Sequence, residues 1–271
     1  MKRLMFCLFA LMLLLGAPEM VKASFYLSTQ NGATLGGLTF EDHDVVKFDQ
    51  ATDTATLFWQ WPGAAAEDID AVHILGDNRL FSTTTGFSLD NQNFDNEDVV
   101  QYNTATGTAS VFLDHRDIYD GLEDIDAFSI YNGRYYASTE TFADLVNPKS
   151  GSPTRVEEGD IAVYDPVSGE GWLMEIFGSA PHNIDALHIL AENDIILSTA
   201  DAASLGGLDF EPEDLVRYNP STGEASLYFD GGSAFSLQEN IDAVYVPLPG
   251  AIWLLGSGLI GLVGIRRSHR N

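Results

Sequence analysis

The feature that most constrains how this 271-residue chain can fold is a short motif that recurs four times with the same companions in the same order. Ile-Asp-Ala stands at Ile69-Asp70-Ala71, Ile125-Asp126-Ala127, Ile184-Asp185-Ala186 and Ile241-Asp242-Ala243, its aspartates 56, 59 and 57 residues apart. A Ser-Thr pair recurs at Ser28-Thr29, Ser82-Thr83, Ser138-Thr139 and Ser198-Thr199. An Asp followed by apolar residues and an aromatic recurs at Asp44 to Phe48, Asp98 to Tyr102, Asp160 to Tyr164 and Asp214 to Tyr218. A period of this kind marks a supersecondary unit that buries its apolar face by packing on its neighbours.

Each unit reads as four short strands. In the best-defined repeat these are 69–75, a near-continuous apolar run; 79–83; 98–102 after a polar loop; and 109–113. The last two strands are joined by Asn103-Thr104-Ala105-Thr106-Gly107, where Asn opens a turn and Gly supplies the positive φ that closes it. Asp165 to Gly169 and Asn219 to Gly223 repeat the pattern. In the first repeat Asp53 stands where Gly is expected, and Asp tolerates that conformation better than most residues.

The ends are out of phase with the repeat. After the leader the chain begins on a second-type strand, Phe25 to Thr29, and its last strand, Ile241 to Val246, is of the first type. Pairing them completes a fourth unit and removes two exposed sheet edges. The expected fold is all-β: a four-bladed β-propeller over residues 24–246, closed by its terminal strands. An open solenoid or two sandwiches would leave the offset ends unexplained.

The flanks read differently. Residues 1–23 have Lys2 and Arg3, an apolar run from Leu4 to Leu15, and small residues before a cut between Ala23 and Ser24, the pattern of a secretory signal. Cys7 lies inside that run, so the remainder has no cysteine and would rest on its core alone. Residues 247–271 form the other flank. Ala251 to Ile265 would span about 22 Å as a helix and about 27 Å if extended to Leu248, just short of a hydrocarbon core of about 30 Å. Arg266, Arg267 and Arg270 follow and would stay cytoplasmic.

The order of Pro motif, short apolar span and basic stop, with Val246-Pro247-Leu248-Pro249-Gly250-Ala251 as the motif, resembles the PEP-CTERM sorting signal of Gram-negative bacteria in its VPLPGA form. Leu248 stands where the name-giving signal has Glu. The resemblance implies signal peptidase and an exosortase as processing partners, with Val246, Pro247, Pro249, Arg266 and Arg267 as the sorting residues. It also implies an inner-membrane intermediate held by the C-terminal transmembrane helix, then a product at the cell surface or in the exopolysaccharide matrix. An ordinary single-pass anchor is the alternative.

The repeats resemble the hemopexin-like propeller, whose inner strands often begin with Asp-Ala, as at Asp70-Ala71, Asp126-Ala127, Asp185-Ala186 and Asp242-Ala243. The ring disulfide and the Tyr-Trp-Arg strand signature of that family are missing. The resemblance implies a channel ion such as Ca²⁺ held by oxygens of Asp70, Asp126, Asp185 and Asp242. A hard cation takes six to eight oxygens, which four residues and water could supply. The plainer alternative is that each Asp accepts backbone N–H bonds at a strand start.

Residues 24–265 carry seven of the 13 Lys and Arg against 39 of the 40 Asp and Glu, a net charge of about −32. Such a surface repels nucleic acid and attracts cations. Acidic clusters precede the third strand of every unit (Glu41/Asp42/Asp44, Asp95/Glu97/Asp98, Glu157/Glu158/Asp160 and Glu211/Glu213/Asp214), and would make either a solvated face or a Ca²⁺-bridged crown for anionic exopolysaccharide. His73 and His188 share one repeat position with Ser129 and Tyr245 and read as packed residues. No nucleophile elbow, HExxH or Cys/His cluster appears. The reading is a non-catalytic binding or structural module. A polysaccharide hydrolase or lyase on the same scaffold is the alternative, because fold alone does not choose between them.

Overall fold

A computed structural model of the chain describes residues 24–63, 67–178 and 182–247. The leader, Pro249 and the apolar span with its arginines lie outside the described residues. Among those described, no helix is long and apolar enough to cross a membrane.

The chain is nearly all β. Sixteen strands carry its framework: β1 (Ser24–Ser28), β2 (Asp44–Asp49), β3 (Thr54–Gln60), β4 (Ala71–Leu75), β5 (Asn78–Ser82), β6 (Val99–Asn103), β7 (Thr108–Leu113), β8 (Ala127–Tyr131), β9 (Arg134–Ser138), β10 (Asp160–Asp165), β11 (Glu170–Glu175), β12 (Ile184–Ala191), β13 (Asp194–Thr199), β14 (Leu215–Asn219), β15 (Glu224–Phe229) and β16 (Ala243–Tyr245). They form antiparallel four-stranded sheets ordered β16-β1-β2-β3, β4-β5-β6-β7, β8-β9-β10-β11 and β12-β13-β14-β15. The first of these joins the first and last described strands. Tyr26 faces Tyr245, Leu27 faces Val244 and Ser28 faces Ala243, the edge pairing expected from the offset termini.

The innermost strands follow one another round a common centre, β4 beside β8, β8 beside β12, β12 beside β16, and β16 beside β4. The core divides in the same way. Phe81 and Val100 pack on Val45 and Trp59 between the first two sheets; Leu80 and Val99 pack on Phe128 and Ala137 between the next two. Ile161 and Val163 meet Leu187 and Leu197, and Ile196 and Leu215 meet Phe25 and Phe48. Four sheets in an open row have three interfaces; here there are four, each with its own apolar cluster. That burial is the main stabilising term.

Turn chemistry follows the sequence. Asn103 Oδ1 accepts from Ala105 and Thr106 N–H, and Asn219 Oδ1 accepts from Ser221 and Thr222 N–H. Asp53 takes φ +53°, the conformation Gly107, Gly169 and Gly223 take in the other turns.

One expectation is corrected. The segment between second and third strands is a polar loop in none of the four units; in the third it pairs Ala143–Leu145 with Arg155–Val156. In the others it is a small hairpin with a buried apolar face, as in Phe87–Leu89 paired with Gln92–Phe94. The matching hairpins pair Ala33–Leu35 with Leu38–Phe40 and Ala203–Leu205 with Leu208–Phe210. Three-residue strands are too short for alternation to announce them. Gly36 and Gly206 turn two of these hairpins, and a Cβ at Gly206 would stand 2.5 Å from Gly223 O.

Candidate functional site

Three of the four motif aspartates precede their strands; only Asp185 lies within one. The backbone explains why. The isoleucine before each is fully buried. Its N–H donates to a turn of the preceding sheet in three repeats, Ile69 to Asp42 O (3.4 Å), Ile184 to Glu158 O (3.0 Å) and Ile241 to Pro212 O (3.2 Å). The residue before the isoleucine is Asp or Asn every time: Asp68, Asp124, Asn183 and Asn240. Its carbonyl accepts from the segment just after the Ser-Thr pair: Thr84 N to Asp68 O, Glu140 N to Asp124 O, Ala200 N to Asn183 O and Gln30 N to Asn240 O, at 3.0–3.3 Å. The unit is therefore Asx-Ile-Asp-Ala. Its first position was overlooked in the sequence reading although all four copies display it.

With the backbone so engaged, eight carboxylate and amide side chains gather at one end of the sheet assembly. Asn240 donates its amide to Asp185 Oδ2 at 2.5 Å, so the Asx of one unit reaches the Asp of the unit before it. Asn183 bonds Asp126 in the same way, Asp124 and Asp68 act on Asp70 and Asp242 through their charge, and Asp242 also shares a hydrogen bond with Asp185. Ser82 Oγ donates to Asp70 Oδ1 (2.5 Å) and Ser138 Oγ donates to Asp126 Oδ1 (2.9 Å). The matching Ser28 and Ser198 donate instead to backbone oxygens of Asp42 and Pro212. These partners are Ser and Asn side chains, in place of the backbone N–H groups anticipated for the plainer role.

Several oxygens here are buried without a hydrogen-bond partner: Asp68 Oδ1, Asp70 Oδ2, Asp124 Oδ1, Asp126 Oδ2, Asn183 Oδ1, Asn240 Oδ1 and Asp242 Oδ1. An unsatisfied buried acceptor costs about 1–3 kcal/mol, and more when charged. The ion pairs of His43, His115, Arg116 and Arg217 go to other acidic residues. Burial first, then neighbouring charge, raises these carboxyls. Asp68 and Asp124 are pushed up to about 7 and Asp185 to about 6. Asp70, Asp126 and Asp242 lie well above the ordinary range, reinforced by Asp124, by Asp185, and by Asp185 and Asp68 respectively. All of these donors are hard oxygens, which suits a hard cation. The four motif carboxylates do not close on one point, since none of their triplets brings ligand atoms within 4.8 Å of one another.

Deeper along the axis lies a second layer. His73 and His188 are 5.8 Å apart and stacked, and Tyr245 stands edge-on to both at 5.1 and 4.9 Å. Ile130 N–H donates to His73 Nδ1 (3.4 Å) and Ile189 N–H to Ser129 Oγ (3.0 Å), stitching adjacent units. Burial lowers His73 to about 4 and His188 to about 3. These residues pack together at the centre as neutral groups.

The acidic clusters before the third strands have an internal task. Asp98 accepts from His115 N–H, Asp160 from Ile176 N–H and Asp214 from Gly231 N–H, each tying the end of a fourth strand to the start of a third. Asp98, Asp114 and His115 bring ligand atoms within 4.8 Å of one another, but His115 is 1% exposed and Asp114 accepts from Arg116 N–H at a helix start. At the chain ends, Ser24 opens β1, Val246 is buried against the cluster containing Phe25, and Pro247 is half-buried. Ala23, Pro249, Arg266 and Arg267 lie outside the described residues.

No protein-family model matches the chain, and no curated protein matches it. Among solved structures, it is similar to the Pan2 WD40 domain of Neurospora crassa, with TM-score 0.32 and 9% identity over 69% of this chain and 47% of that one. The chain thus spans about half of that structure.

Proposed function

We propose that this chain is an exported, non-catalytic binding and structural module of the bacterial cell surface or exopolysaccharide matrix, delivered through exosortase sorting. On this reading its sheets are the blades of a four-bladed β-propeller, and the Asx-Ile-Asp-Ala end takes a hard cation such as Ca²⁺. The observation that carries it is the gathering of six carboxylates at one end, with orphaned oxygens and, among the described residues, no ion pair to a cationic side chain. A cation there would touch at most two of the motif carboxylates Asp70, Asp126, Asp185 and Asp242, with water filling the rest of its shell. A bound cation would neutralise that end and allow anionic polysaccharide to approach a strongly acidic surface. The close packing of the axial His73, His188 and Tyr245, with His73 Nδ1 and Ser129 Oγ accepting from backbone N–H groups, supports a non-catalytic role. Export and sorting rest on the sequence of the two flanks.

Two measurements test the reading. Calorimetric titration of the purified chain with Ca²⁺ should give saturable heat, and its absence at millimolar Ca²⁺ ends the cation argument. The mass of the protein should differ between cells with and without exosortase activity. A full-length membrane form unchanged by that loss would make the tail an ordinary anchor.

A further inference from the structure

The third unit departs from the other three in its outermost strand. Thr56, Ser110 and Ser226 stand opposite Lys47, Gln101 and Arg217 of the neighbouring strand, a small hydroxyl side chain each time. At the same register in the third unit Trp172 stands opposite Val163. The connection between its second and third strands is also longer, and residues 147–149 run along the edge of β11. Gly171 N–H donates to Asn147 O (2.9 Å) and Lys149 N–H donates to Gly171 O (2.7 Å). Lys149 Nζ is thereby set 4.9 Å from the centre of the Trp172 ring, and Arg134 Cζ, from β9, is 5.1 Å from the same ring.

A cation held over an aromatic face keeps its charge and its N–H donors. Among the described residues, neither Arg134 nor Lys149 forms an ion pair with a carboxylate. Asp165, next in register to Arg134, spends Oδ1 on Val167 and Ser168 N–H. Arg134 also reaches the Tyr136 hydroxyl, on which Glu192 of the fourth unit acts through its charge. By contrast Arg79, over Phe58, donates Nη1 to Gly76 O and Asn78 O, and Arg217 is held by Asp194. Four of the seven cations in residues 24–265 fall between 116 and 155.

Resting on the surface-matrix reading above, we infer that Arg134 and Lys149, held in place by Trp172, bind the carboxylates of an acidic polysaccharide directly, with no bridging cation. The site lies at the far end of the β8–β9 hairpin from Asp126, since Tyr131 faces Arg134 across the turn while Ala127 faces Ser138. The guanidinium fork matches a carboxylate and the ammonium adds a second point charge. The overall negative charge is screened beyond about 8 Å in physiological salt, so the local pair of cations governs an anion seated there. A chain whose acid groups are spaced a sugar apart needs few cations. Nucleic acid, with a charge about every 1.7 Å of duplex, needs many and would meet the surrounding acids.

The probe is oligogalacturonate, which carries a carboxylate on each sugar, titrated calorimetrically into the purified chain in chelator and again in Ca²⁺. Saturable binding in chelator is expected, and added salt should weaken it. Arg134→Gln combined with Lys149→Gln should weaken it tenfold or more, and Trp172→Leu threefold or more. Lys149→Arg, which keeps the charge, should change it less than twofold. So should Lys47→Gln combined with Arg79→Gln, which removes two charges from other units. Tm shows whether each variant is folded. Equal losses from the two double variants would overturn the localised site in favour of diffuse attraction. Equal affinity for a neutral oligosaccharide, or for single-stranded DNA of matched charge, would overturn the acidic-sugar assignment. Binding that appears only in Ca²⁺ and is indifferent to Arg134→Gln with Lys149→Gln would overturn the direct contact and leave the matrix reading standing. No binding in either condition would sink both.

Discussion

Substituting Asp124 by Asn should stabilise the calcium-free protein, and the gain should grow with pH. Burial raises Asp124 from 3.8 to about 7, opposed in part by a hydrogen bond from Asn96. Between those values the folded state keeps a proton that the unfolded chain has released, so stability carried by this group is complete below pH 4 and is lost as pH rises through 7. A shift of that size in a fully enclosed group would correspond to about 4 kcal/mol. Asp124 is only partly buried, and solvent screening reduces the figure to about 1–2 kcal/mol. Asn has no proton to lose and retains an acceptor for Asn96. The difference between variant and parent should be near zero at pH 4.5 and reach about 1–2 kcal/mol by pH 7.5. Comparing the two proteins cancels the opposing contribution of His73 and His188, whose depressed values make the fold lose stability as pH falls below 6.5, and also the general repulsion of an acidic surface. Urea unfolding followed by tryptophan fluorescence, in chelator and constant salt, gives both curves. Parallel curves across the range, or a gain confined to low pH, would refute the reasoning.

Other outcomes follow from the same geometry. Ser138→Ala should cost about 1–3 kcal/mol in urea unfolding, since the single hydroxyl proton lies within reach of two buried acceptors, Asp126 Oδ1 and Ile184 O, and its loss leaves both unserved. Gly206→Ala should destabilise clearly more than Gly207→Ala: both have positive φ, but only at Gly206 does the backbone crowd the new Cβ. By NMR, neither His73 nor His188 should titrate between pH 8 and 5.5; a midpoint inside that range for either ring would contradict the packed centre. Ile241→Ala, at a fully buried position next to the strand that joins the chain ends, should cost about 2–5 kcal/mol.

Much of the architecture was legible from residue order alone. The repeat, the strand pairs, the turns closed by Gly or Asp53 and the meeting of β1 with β16 all follow from patterns within one unit or from the phase of the ends. Such features are set by local backbone preference and by the need to leave no bare sheet edge. The function of the polar residues was not legible in the same way. Asp98, Asp160 and Asp214 looked like surface charge, yet their carboxylates tie strands together inside a sheet, and the hairpins mistaken for polar loops bury Phe87, Leu89 and Phe94.

Residue order specifies a four-unit, all-β, strongly acidic chain whose first and last β segments share a sheet. Which polar groups face one another depends on how the units pack. Asn240 meets Asp185 across 55 residues, Ile130 meets His73 across 57 and Ile189 meets Ser129 across 60. Those separations are about one repeat long, so every such contact joins positions of adjacent units that lie one or two residues out of register, and it has no trace within a single unit. The physical reason is that burial of apolar faces brings the units together and fixes their order, and the carboxylates at their junctions take whatever neighbours that packing assigns.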